Sequence, residues 1–145
     1  MDKIQTSGNF KTESERQSFL DAIPRAAEHQ ATLEEAKAKH TAYINAMREQ
    51  ACEADSVALG HNWQADNRSK ERLNAAISLA LAGLPLPATW RASDNVDVAV
   101  VNIGILLAIA GAMSAQVQLA YQHSWQLKGQ VASATSISNV ISIIW

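Results

Sequence analysis

No Asp, Glu, Lys or Arg occurs from Val98 through Leu127. A run that long without formal charge has to be buried in its own protein, against copies of itself, or in lipid. Within it, Ile103, Leu106, Leu107, Ala110, Met113, Val117, Tyr121 and Trp125 recur at spacings of one, three or four, the recurrence of a helix with a broad apolar face. The spacing predicts a helix from Asn102 to Lys128, roughly 40 Å long at about 1.5 Å per residue. Gly104, Ala108, Gly111 and Ala115 form a second stripe along it. Glycine in a helix interior costs about 1 kcal/mol against alanine, so this stripe is expected to be closely packed by another backbone, and a charge at Gly111 is expected to disrupt that packing.

A membrane span competes with this reading. The densest apolar run, Val98 to Met113, contains Asn102 and falls short of the about 20 apolar residues a span needs. Ser114, Gln116, Gln118, Gln122 and Gln126 then make the second half amphipathic. No membrane span is expected.

At 145 residues the chain is expected to form one domain with an N-terminal arm, dividing into residues 1–56 and 57–145, and to support a modest core. Twelve basic against 14 acidic side chains leave a net charge of −2, far from the basic balance of a nucleic-acid binder, so no nucleic-acid partner is expected. Residues 1–66 hold 7 basic and 11 acidic side chains and the remainder 5 and 3, which reads as a solvated front half and a nearly uncharged back half. The single cysteine, Cys52, excludes an internal disulfide framework and fits a reducing compartment. "MDKIQTSGNFKTESE" has no apolar core run, so no secretory signal is expected there.

In chain order, residues 1–11 read as an extended arm. Thr12 followed by Glu15 is a capping-box pattern that starts a helix. Pro24 breaks that helix or opens the next. From Arg25 to Asp55 strong helix formers dominate, with a heptad recurrence through Phe19, Ala26, Leu33, His40, Met47 and Ala54 and through Ala22, His29, Ala36, Tyr43, Gln50 and Val57. Leu33, Ala36, His40, Tyr43 and Met47 are thus a candidate oligomerisation seam in which polar residues set the register; the same stripe also suits an amphipathic helix lying on its own domain. Two short hairpins are expected, one turning at Gly60 and His61 and one at "SDN". Between them lies a helix capped by Asp66 and ended by Gly83, with Pro85 and Pro87 beyond. Asn102 is placed to cap the long helix, and after Gly129 a Thr135 or Ser136 cap and a short helix lead to an apolar tail, Ile143, Ile144 and Trp145, expected to be docked.

The chemistry is sparse. His29, His40, His61 and His123 have no second ligand at helical spacing, Cys52 has no organised base, and "SDNVD" around Asp94 and Asp97 reads as turn chemistry rather than a calcium loop. No phosphate loop, dinucleotide fingerprint or serine elbow is present. Trp63, Trp90, Trp125 and Trp145 read as core anchors. No catalytic, metal or cofactor residue, and no cofactor, is expected. The fold class is mainly α with minor β: long helices, two short β-hairpins, and an N-terminal helical arm as a candidate coiled coil.

The stretches "GHNWQADNRSKERL", "WRASDNVDV" and "AYQHSWQLKGQVASATSISNVISIIW" resemble the C-terminal domain of unknown function of bacteriophage tail-fibre and tail-fibre assembly proteins. The resemblance runs through Gly60, Trp63, Asp66, Ser69 and Leu73, then Trp90, Asp94 and Asn95, then Tyr121, Leu127, Lys128, Val131, Ala134, Thr135, Val140 and Trp145. It covers about residues 57–145. Asn102 and Ile103 stand where that family has Thr and an acidic residue, and a helical arm replaces a β-rich front portion. The resemblance implies a bacteriophage tail context without catalytic residues to carry over. The chain is then expected to be a non-enzymatic tail component, tail-fibre or baseplate-associated, that assembles with other phage tail proteins and, through its helical arm from Thr12 to Asp55, with itself, a trimer being the expected form. It would reside in the virion tail and, during assembly, the host cytoplasm. A tail-fibre assembly chaperone absent from the mature particle is the alternative.

Overall fold

The computed structural model describes residues 12–22 and 31–145. The expected arm over 1–11, Pro24, Ala26 and His29 lie outside the described residues. The chain divides between Thr32 and Leu33 into two compact units.

Of the first unit, α1 (Glu13–Ala22) is described. Its start is the one expected: the Glu15 N–H donates to Thr12 Oγ1 at 3.2 Å. Arg16 forks onto Glu13 one turn away, and that hydrogen bond, with the attached charge, holds the Glu13 carboxyl below its usual range.

The second unit runs α2 (Leu33–Glu53), β1 (Ser56–Ala58), β2 (His61–Trp63), α3 (Asn67–Leu81), β3 (Thr89–Arg91), β4 (Asp97–Ala99), α4 (Ile103–Ser133) and α5 (Ile137–Ile141). It is mainly helical with two antiparallel strand pairs, the expected fold class. The 31-residue α4, about 46 Å long, is its spine. Leu106, Ile109 and Met113 on its first half share a core with Trp63, Ala65, Leu73, Ile77, Ala92 and Val100 from α3 and the hairpins. On its second half, Leu127 and Val131 share another with Ile44 of α2 and Val140 of α5.

This arrangement corrects the division at 56/57. Helix α2 packs along α4 and α5, with Leu33 and Ala36 against the second core; without it, Leu127, Val131 and Val140 would face water. The helix also ends on side chains remote in sequence. Its last turn holds no basic residue, yet Lys70 Nζ of α3 donates to the Cys52 carbonyl at 2.6 Å. Gln116 Nε2 of α4 donates to the carbonyls of Ala51 at 2.8 Å and Ala54 at 2.6 Å. In return, Lys37 Nζ of α2 donates to the Ala132 carbonyl near the end of α4 at 2.9 Å. Each device satisfies C-terminal carbonyls that lack intrahelical donors. Gln116→Ala is therefore expected to lower stability by about 1–2 kcal/mol, measurable by urea unfolding, with the secondary-structure spectrum unchanged.

Local chemistry positions the remaining elements. Asp66 caps α3, accepting from the Ser69 N–H at 3.0 Å and the Ser69 hydroxyl at 2.7 Å. Gly83, at φ +90°, lets its own N–H reach Ala80 O and the Leu84 N–H reach Leu79 O, the paired bonds of a left-handed helix stop. Asn102 precedes α4 in extended conformation without a side-chain cap bond, so it holds the expected position and does not make the expected cap. Ser136 does cap α5, accepting from the Asn139 N–H at 3.1 Å.

The first hairpin turns one residue earlier than expected, at Leu59 and Gly60, because Ala58 pairs with His61. Both turn residues have positive φ, +54° and +76°, as a two-residue turn matched to strand twist requires. A leucine there is strained. Leu59→Asn should raise the thermal midpoint, a gain of about 1 kcal/mol. The second hairpin closes over Ser93, Asp94 and Asn95, with Asn95 at φ +65° and the Ala92 N–H on Val96 O at 2.8 Å. A bond of 2.8 Å from the Ser93 N–H to Asn62 O ties the two hairpins together.

Candidate interaction surface

The ionisable groups serve the fold locally. Two hydrogen bonds from Ser69 hold the Asp66 carboxyl low, and the Arg91 fork, at 2.8 and 3.0 Å across the second hairpin, does the same for Asp97. Cys52 is buried, and that burial pushes its thiol up, away from the thiolate a nucleophile needs. Among the described residues no group of three His, Cys, Asp or Glu side chains is placed to hold a metal ion. A cleft of about 430 Å³ lies between the hairpins and α3, lined by Trp63, Trp90, Arg72, Arg91, Asn95 and Asp97 among others. Arg72 stacks over Trp90 at 5.7 Å and Asp97 is engaged by Arg91, so the charged groups of this cleft are tied to its walls.

The five seam residues face their own chain or its edge. Leu33 and Ala36 pack on the second core. His40 bonds through Nε2 to the Ile143 carbonyl, and its ring lies 5.1 Å from that of Tyr43. Tyr43 is 38% exposed and Met47 half-buried. Of the two readings of this stripe, the structure has the amphipathic helix on its own domain, because α5 and the tail need α2 as their floor. His40 and the His123–Trp145 ring contact at 4.7 Å hold Ile143 and Trp145 down. Ile144, expected to be docked, is exposed.

The stripe on α4 departs from expectation in the opposite direction. Gly104, Gly111 and Ala115 are exposed and Ala108 half-buried; a Cβ at Gly111 would meet nothing within 4 Å. Among the described residues no backbone packs there, because α2, α3 and the hairpins occupy the other sides of α4. Gly104 has a local reason to be small, since a Cβ would stand 2.7 Å from the Asn102 side-chain oxygen. Beyond Ala115 the exposed line continues through Gln118, Gln122, Trp125 and Gly129. Trp125, expected in the core, is 59% exposed, and Leu119 beside it 64%. Trp63 alone of the four tryptophans is fully buried.

Apolar grooves flank this line on both sides. One of about 560 Å³ runs between α3 and α4, past Leu73, Leu107, Gly111, Met113 and Val117. Another of about 580 Å³ runs past Ala51, Val57, Ala112, Leu119 and Trp145. By length and composition α4 is apolar enough to cross a membrane, and 22% of its most apolar window is buried. Among the described residues this leaves a long, mostly open and uncharged helix face with nothing packed on it. The sequence signal for it was the mixture of Gly and Ala with Gln at one spacing, polar enough for water and too small to fill a core.

Residues 35–143 match the family model described as a domain of unknown function, DUF4376. The chain belongs to this family. The DUF4376 match begins in the first turn of α2 and reaches the tail, so the domain includes the helix that composition had assigned to an arm, as the shared Ile44–Leu127–Val131–Val140 core demands. No curated protein and no solved structure matches the chain.

Proposed function

We propose that this DUF4376 protein is a non-enzymatic component of a bacteriophage tail, fibre or baseplate-associated, that works by protein–protein assembly. The observation that carries the assembly role is the open, charge-free face of α4. Contiguous exposed apolar surface on a folded chain marks an interaction site, and Lys70 beside it is engaged on the Cys52 carbonyl. The phage context rests on the resemblance in residues 57–145 described above. Its partners would be other tail proteins and further copies of itself, in the virion tail and, before that, in the host cytoplasm. Self-assembly, as a trimer or another number of copies, is not assigned to the α2 seam, since Leu33 and Ala36 of that seam are engaged within the chain.

The apolar groove between α3 and α4 favours a second reading, an assembly chaperone that holds a fibre segment transiently. Mass spectrometry of purified particles separates the two. Presence in fixed ratio to the major tail protein supports the structural component. Absence from the particle, with abundance in the infected-cell lysate, makes it the chaperone, and absence from any phage-encoded context removes both.

A further inference from the structure

We propose that the open face of α4 is covered by the same face of a second copy, running antiparallel about a two-fold axis. The inference rests on the assembly reading and names its partner. The exposed line repeats alternately at four and three residues, a mean of 3.5, which is the period at which one helix follows another. Between its glycine ends, Gly104 and Gly129, size changes with direction: Ala108, Gly111 and Ala115 occupy the first half, Gln118, Gln122 and Trp125 the second.

Antiparallel helices set the two kinds of seam position against each other. With the axis between Gln116 and Val117, Ala108 meets the partner's Trp125, Gly111 its Gln122, and Ala115 its Gln118. Every large residue then lies on a small one, and the one small-on-small pair, Gly104 with the partner's Gly129, falls at the ends of the strip. A parallel pair would stack Trp125 on Trp125 and leave Gly111 facing Gly111 across a void. The face is therefore complementary to itself reversed, the property a two-fold interface requires.

Charge and area agree with this occupant. The seam positions carry no charged side chain, and Lys70 and Asp55 stand only in the flanking grooves, so the centre of the contact forms without desolvating an ion. A strip from Gly104 to Gly129 is about 38 Å long and one helix, about 10–12 Å, wide. Doubled across the pair and widened by the flanking grooves, it reaches the about 1,000 Å² that a specific interface needs.

The test uses the full chain and sedimentation equilibrium. Gly111→Glu has open space in the single chain and replaces a poor helix former, so the thermal midpoint of the monomer should hold or rise. In the pair, however, it places one carboxylate against each partner's Gln122, and the dissociation constant is expected to rise at least about 100-fold. Adding Gln122→Lys to that variant should restore association, because the antiparallel register sets Lys against Glu across the interface. Restoration by the double variant with dissociation by the single one supports the pair. A wild-type chain that stays monomeric up to its solubility limit overturns it, as does a Gly111→Glu chain that associates like wild type, or a double variant that remains dissociated. Flotation of monomeric wild-type chain with phosphatidylcholine vesicles would overturn it in favour of lipid. A monomer found at fixed ratio in particles would sink the self-pairing and leave the tail-component reading standing.

Discussion

Trp63→Ala is expected to remove about 3–5 kcal/mol of folding stability, a large share of the about 5–15 kcal/mol that a domain possesses. Trp63 ends β2 at 1% exposure and joins the core that draws on both hairpins, α3 and α4. Alanine leaves a void bounded by Leu73, Ile77 and Leu106, which sit on helices that cannot close in independently. It also deletes the indole N–H, which donates to the Ala58 carbonyl at 2.9 Å across the first hairpin. That carbonyl loses the indole donor just before the strained Leu59 turn, so the hairpin and the core weaken together. Urea unfolding followed by far-ultraviolet circular dichroism measures the loss. Trp63→Phe separates packing from hydrogen bonding: most of the packing stays, the hydrogen bond goes, and the cost should fall to less than half that of alanine. Equal costs for the two variants would mean that the indole hydrogen bond, and not the packing of the ring, holds this region together.

Ile44→Ala should cost about 2–5 kcal/mol, with the oligomeric state unchanged. Ile44 has no exposed surface and meets Leu127, Val131 and Val140. An isoleucine in an assembly arm would, when truncated, lower the mass in solution and leave unfolding of each chain untouched. Here the opposite is expected, because α2 is one wall of the second core and its end is held by Gln116 and Lys70. The same geometry means that a fragment of residues 57–145 lacks cover for Leu127, Val131 and Val140. Loss of mass without loss of stability in Ile44→Ala would return α2 to the role of an arm.

What could be read from the chain by itself was most of what acts within one turn, although Asn102 makes no cap bond. Thr12 reaches Glu15, Asp66 reaches Ser69 and Ser136 reaches Asn139 because a spacing of three places a short side chain over an open N–H. Gly83 and the prolines after it stop α3, and the three-and-four recurrence from Ile103 to Trp125 makes α4 a helix, whatever surrounds them. Two hairpins were legible too, although the first turned a residue early because strand pairing, not the order of turn-forming residues, selects the turn.

Direction was decided only in three dimensions. A repeat of 3.5 or 3.6 marks a face and says nothing of what lies against it. The α2 stripe suited either an interface or a helix on its own domain, and its Leu33 and Ala36 pack on the second core; the α4 stripe was expected under another backbone, and in the single chain it is open. The bonds that fix this outcome join residues 62, 65 and 95 positions apart. No local pattern encodes such pairings, because Gln116 and Lys37 become caps only once packing has brought a helix end within their reach.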